Sequence, residues 1–200
     1  VTRSATNPSP RQQELLEAAY AYALRSGLAD LSLRPLAEEI HSSPRVLLYL
    51  FGSKDGLIRA LLARARADEL AHVQRLADAQ HGTGGLHAAA LELWRWLSDG
   101  AHRGLLTLWV ESYARSLTDP EGPWAGFARD TVGDWLELLA DAQPADTRDT
   151  GAALAERTLV LAVLRGALLD LLATGDTART TEAVRLQLDG EACPGPAHGD

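Results

Sequence analysis

Two hundred residues, 46% hydrophobic and 23% charged, suffice for one compact domain or for a small domain fused to a larger one. No apolar run approaches the roughly 20 residues needed to span a bilayer, and the polar opening VTRSATNPSP lacks the apolar core of a secretory signal, so the cytoplasm is expected and a membrane partner is not. The single cysteine, Cys193, excludes an intrachain disulfide and any multi-cysteine metal site, and the net charge of −8 argues weakly against a polyanionic partner.

That average hides an asymmetry. Residues 1–66 hold nine Lys+Arg and six Asp+Glu, whereas residues 67–200 hold ten and twenty-one. A mildly basic front end on an acidic body places any polyanion contact at the front.

Taken in chain order, nearly every segment reads as helix, with no useful strand alternation. Ser9 caps the first helix, Pro10 suits its first position, and Gln12 completes a Ser-x-x-Gln capping box; the helix ends at Gly27. A second runs from the Ser32 cap to about Ile40, with Pro35 tolerated in the first turn. A third starts with the Ser43 cap and Pro44 and ends near Leu50, its Val46, Leu47 and Leu50 facing inward. Ser53 caps a fourth, running to about Ala79. The stretch QHGTGG at 80–85 is a break. Helices follow at about 86–99, 102–118, 124–142, 154–175 and 178–189, and the Gly/Pro-rich tail 190–200 is expected to be disordered, as is the N-terminus 1–8.

Helices two and three are short and separated by His-Ser-Ser, which is helix-turn-helix spacing. The second member presents Ser43, Arg45 and Tyr49. An arginine there can donate two hydrogen bonds to guanine, and the serine hydroxyl can meet a phosphate. Lys54, the sole lysine of the chain, opens the fourth helix, where a like charge is mildly disfavoured unless an anion docks. The bland reading, a solvated lysine left by chance among eighteen arginines, loses ground once the upstream motif is considered.

Residues 10–60 resemble the DNA-binding domain of the tetracycline-repressor (TetR) family. The resemblance rests on Gly27, Ser32, Arg34, Leu36, Ala37, Ser43, Leu47, Phe51, Ser53, Lys54 and Leu57, which agree in register. It implies an all-α fold, with a three-helix helix-turn-helix domain at 1–52 and a helical effector-binding and dimerisation domain at 53–189. It also implies DNA contacts from Arg34, Ser43, Pro44, Arg45, Tyr49 and Lys54. Three departures stand out: His41 replaces the turn glycine, Leu48 and Leu50 replace two aromatics, and Ala23 replaces a common phenylalanine, so that Tyr20 or Tyr22 is expected to fill that core space.

In the acidic remainder, aromatics recur at helical spacing, which is usually core packing. By resemblance, Trp94, Trp109, Tyr113, Trp124 and Phe127 are candidates for a pocket that takes a small apolar or aromatic effector. The 154–175 helix is apolar nearly all round apart from Arg157, Arg165 and Asp170, so both faces need cover. A homodimer seam is expected there and on the 124–142 helix, through Trp135, Leu159, Ala162, Val163, Gly166 and Leu169.

An enzyme is disfavoured. The six histidines show no metal-binding pair, and the chain has neither a Gly-rich phosphate loop nor a Gly-x-Ser-x-Gly elbow. No catalytic residue, metal or cofactor is expected. The function indicated is a transcription regulator, a repressor bound to a pseudo-palindromic double-stranded operator. The rival is a helical ligand-binding or scaffolding protein that never touches DNA.

Overall fold

The computed structural model describes residues 9–28, 31–79 and 85–188. Every regular element among them is helical: α1 (Pro10–Ser26), α2 (Leu33–Glu39), α3 (Pro44–Phe51), α4 (Lys54–Ala79), α5 (Gly85–Ser98), α6 (Arg103–Thr118), α7 (Phe127–Asp141), α8 (Gly151–Thr174) and α9 (Thr177–Leu188), with a 3-10 turn at Gly100–His102. The all-α expectation is met. The expectations for residues 1–8, 80–84 and 190–200 lie outside the described residues.

Local chemistry explains most of the boundaries. Ser9 accepts from Gln12 N, Ser43 from Val46 N, Ser53 from Gly56 N and Thr150 from Ala153 N, so four helix starts each satisfy an otherwise orphaned amide. Ser32 behaves differently: it occupies the cap position of α2 without a side-chain cap bond. Gly27, Gly52 and Gly175 stop α1, α3 and α8 at positive φ. The seventh helix was expected from 124 but begins at Phe127, because Gly122, Pro123 and Gly126 (φ 80) break the preceding turns; Trp124 therefore precedes the helix.

The chain divides into two compact units. The first comprises Val1–Leu70 and Gly104–Thr131, the second Ala71–Arg103 and Val132–Asp200. In the first, α1 and α4 are joined by a charged cluster: Arg64 pairs with Glu17 at 2.7 Å and lies over the Tyr20 ring, whose hydroxyl donates to Asp68 at 3.0 Å. Tyr20 is buried, while Tyr22 is half-buried. Burial, reinforced by the Asp68 charge, pushes the Tyr20 phenol well above its ordinary range.

Helix α6 is also held against α1 within this unit. Gly104 lies so close to Leu24 that a Cβ there would stand 2.6 Å from the Leu24 carbonyl oxygen. About two turns further along α6, Glu111 accepts from Leu28 N at 2.9 Å. The same carboxylate occupies the space that a Cβ on Gly27 (φ 76) would need, at 2.7 Å.

In the second unit α5, α8 and α9 pack pairwise. Trp94 is buried there, and its indole N–H donates to Thr181 of α9 at 3.0 Å. Helix α8 buries Val160, Leu161, Leu164, Leu168 and Leu171. Its other face leaves Ala155, Leu159, Ala162, Gly166, Leu169 and Ala173 exposed, with Leu159 56% and Leu169 50% accessible. Those six alternate in steps of four and three, the spacing of a coiled-coil seam. Trp135, expected on the seam, is buried within the protomer. The 3.6-residue period turns that position of α7 toward the same side as Leu139, which is also buried. Val163 is half-covered.

Candidate nucleic-acid interface

Helices α2 and α3 pack on each other, and α1 packs on α2. The link between α2 and α3 is a Schellman turn: Ser42 N donates to Ala37 O at 2.8 Å and His41 N to Glu38 O at 3.3 Å. His41 sits at the left-handed position with φ 50, the only non-glycine residue with positive φ among those described. A side chain there is strained by roughly 1–2 kcal/mol relative to right-handed backbone. The departure seen in the sequence is thus tolerated without a change in the turn.

Below the turn, α3 is anchored by Leu47, which is buried, and by a bond from the Gln12 side-chain amide to Leu50 O at 3.1 Å. Gln12 therefore ties α1 to the end of α3, a use that the capping-box reading did not foresee. One inward assignment needs correction. Val46 is 38% exposed while Leu50 is half-buried, because an eight-residue helix resting on α2 turns only part of its surface inward. Arg45, Val46, Leu48 and Tyr49 form the outer face, with Tyr49 85% exposed.

Ser43 is half-buried and already accepts from Val46 N at 3.3 Å. Its hydroxyl proton is not used in that bond and can still be donated to an anion. Pro44 follows as the first residue of α3.

The turn from α3 into α4 is tight. Gly52 (φ 78) ends α3, Ser53 caps α4 and Lys54 is its first residue, exposed. At Gly56 any Cβ would overlap the Phe51 carbonyl oxygen, well inside their van der Waals contact distance. Only glycine lets α4 start this close to the end of α3. Sequence reasoning passed over Gly56, because nothing local distinguishes it from an ordinary weak helix residue.

The charges in this region sort into two sets. Arg11, Arg25, Arg64 and Arg66 pair with Glu14, Glu39, Glu17 and Asp130. Arg34, Arg45, Lys54 and Arg59 are exposed and, among the described residues, enter no ion pair. All four lie on α2, α3 or the first turns of α4. Arg59 was not singled out in the sequence, although it follows Lys54 by five residues on the same helix. Asp55 beside Lys54 supplies the acidic group that a helix start ordinarily prefers.

The overall fold has close counterparts among solved structures. A transcriptional regulator from Rhodococcus sp. Rha1 matches with a TM-score of 0.70 and 20% identity, over 89% of this chain and 94% of that one. A TetR transcription regulator from Haloarcula marismortui matches with a TM-score of 0.64 and 19% identity, over 90% and 94%. The chain has the TetR-family fold. The multidrug binding protein EbrR, solved with imidazole, matches at 26% identity with a TM-score of 0.64, over 96% of this chain and 99% of EbrR; it was also solved with proflavin. No protein-family model and no curated protein matches the sequence.

The TetR-type effector candidates divide between the two units. Trp109, Tyr113, Trp124 and Phe127 belong to the first, whereas Trp94 belongs to the second, where its N–H is engaged by Thr181. Trp109 and Tyr113 are tilted neighbours with ring centroids 5.1 Å apart. Ser116 of α6 accepts from Ala128 N at 3.2 Å, which holds the start of α7 beside the helix that carries those two rings. Among the described residues no helix is long and apolar enough to cross a membrane, and no cluster of His, Cys, Asp and Glu could hold a metal ion.

Proposed function

We propose that this protein is a DNA-binding transcription regulator, acting as a dimeric repressor of the TetR type in the cytoplasm. Residues 1–52 form the DNA-binding head, and residues 53–189 the effector and dimerisation body. One observation carries the reading: four exposed cations without an internal acid partner, Arg34, Arg45, Lys54 and Arg59, gather on the helix-turn-helix and the first turns of α4, on a chain whose remainder is acidic. A protein has no structural reason to leave Arg34, Arg45, Lys54 and Arg59 unneutralised together, but a polyanion supplies the missing charge. Helix α3 enters the major groove, with Arg45 toward base edges and Ser43, Tyr49 and Lys54 toward phosphates.

Two copies meet through the exposed α8 stripe, aided by α7. Leu159 and Leu169 supply the apolar area, and Ala162 and Gly166 allow close approach. The effector is a small apolar or aromatic molecule held near Trp109, Tyr113, Trp124 and Phe127. EbrR, with its proflavin complex, makes a planar aromatic the first candidate. Glu111 gives α6 a direct hold on the backbone that follows α1, so a ligand that shifts α6 is coupled to the head through that bond.

The test is a gel shift with genomic fragments, competed by unrelated DNA. Retention of a discrete fragment, released by a planar aromatic compound that also quenches tryptophan fluorescence, is expected. If no fragment is retained above the competitor, the helical ligand-binding alternative takes over.

A further inference from the structure

Three of the four outward side chains of α3 carry no charge. Val46, Leu48 and Tyr49 are 38%, 40% and 85% exposed, which leaves part of each of the first two and most of the third open to solvent. At about 100° per residue, Tyr49 stands beside Arg45, with Val46 on one flank and Leu48 on the other. An exposed β-branched residue in a helix this short lowers its helix propensity, so Val46 is not there for local stability.

The neighbouring charge decides what covers this face. Arg34, Arg45, Lys54 and Arg59, on α2, α3 and the start of α4, have no acid partners among the described residues, which suits nucleic acid and not an apolar protein surface. In the major groove every base edge presents polar atoms except one group, the C5-methyl of thymine. Valine on a helix holds essentially one side-chain rotamer, so its methyl groups stand at a fixed place. The Ser43 cap on Val46 N fixes the backbone beneath it.

We propose that Val46 is a base-reading residue that packs on the C5-methyl of one thymine in each half-site, next to the base that Arg45 contacts. The inference rests on the DNA-binding reading above, and the experiment separates the two. Full-length protein selects duplexes from a random library. In the enriched duplex each dT is then replaced singly by dU, which removes the methyl group and leaves pairing and O4 intact.

One dT per half-site should show a penalty on replacement of roughly four-fold, the equivalent of one buried methyl, and roughly fifteen-fold when both half-sites are changed. Val46→Ala should lose the same factor on the dT duplex and show no further dU penalty. Its unfolding midpoint should not fall, since the site is exposed and alanine favours helix. Enrichment with no dU-sensitive position overturns the proposal and leaves DNA binding standing. So does a dU penalty that survives in Val46→Ala and disappears in Leu48→Ala. Failure to enrich any sequence overturns both.

Discussion

Replacing Gly56 by alanine reverses an ordinary rule. Gly→Ala near a helix start normally stabilises by about 0.4–1 kcal/mol, because the unfolded chain loses freedom. At Gly56 the new Cβ overlaps the Phe51 carbonyl oxygen and stands 3.2 Å from its carbon. Both are backbone atoms that cannot rotate away, so the α3–α4 turn has to open. Overpacking of this kind costs about 1–3 kcal/mol. Opening the turn also strains the bond from Gly56 N to Ser53 Oγ, a cap worth about 1 kcal/mol. The propensity gain offsets part of this, leaving a net loss of roughly 1–3 kcal/mol. Urea unfolding of Gly56→Ala should show it. Gly151→Ala is the matched control: it lies in the first turn of α8 with nothing within 4 Å of a Cβ, and should be neutral or slightly stabilising. Because the opened turn also moves Lys54 relative to α3, DNA affinity should fall by more than stability explains. A Gly56→Ala protein as stable as wild type would refute the steric argument and, with it, the view that this turn fixes Lys54.

Lys54→Ala should weaken binding to operator and random DNA alike and lower the salt slope by about one unit per half-site, about two for a dimer. Arg45→Ala should cost about 1–3 kcal/mol per half-site on the operator and relax choice at one base position; salt titrations of both variants on operator and scrambled duplexes check the contrast. His41→Gly should raise the unfolding free energy read from urea titration by up to about 1 kcal/mol, since it removes left-handed strain at φ 50 at some cost in chain entropy. Gly166→Arg has room in the protomer, so it should fold but sediment as a monomer, with operator binding strongly weakened. Hydrogen bonds from Arg179 to Asp170, at 2.7 and 2.6 Å, hold the Asp170 carboxyl below its usual range. A lowered folded value means that the α8–α9 tether is present at neutral pH and is lost as pH falls through it; relative to its intrinsic rate, hydrogen exchange of α9 should quicken only in acid in the wild type and already at neutral pH in Asp170→Asn.

The sequence alone determined the parts governed by neighbours three or four residues apart. The pairs Ser9–Pro10, Ser43–Pro44 and Ser53–Lys54 mark three helix starts, and glycine marks the ends of α1 and α3, because capping bonds and left-handed backbone are local matters. The same reach made α2 and α3 legible as a helix-turn-helix and α8 as apolar nearly all round. What required the tertiary structure depends on partners far along the chain. Which side of α3 faces outward was settled by Leu47 and by Gln12 reaching Leu50, and that turned Val46 from a core residue into a surface one. The exposed small-residue and leucine stripe on α8 became defined only once α5 and α9 had covered the opposite face. Trp94 found its partner 87 residues away and Leu28 its partner 83 residues away. No local rule could select either, since a pairing across that distance is chosen by packing, and packing is a property of the whole chain.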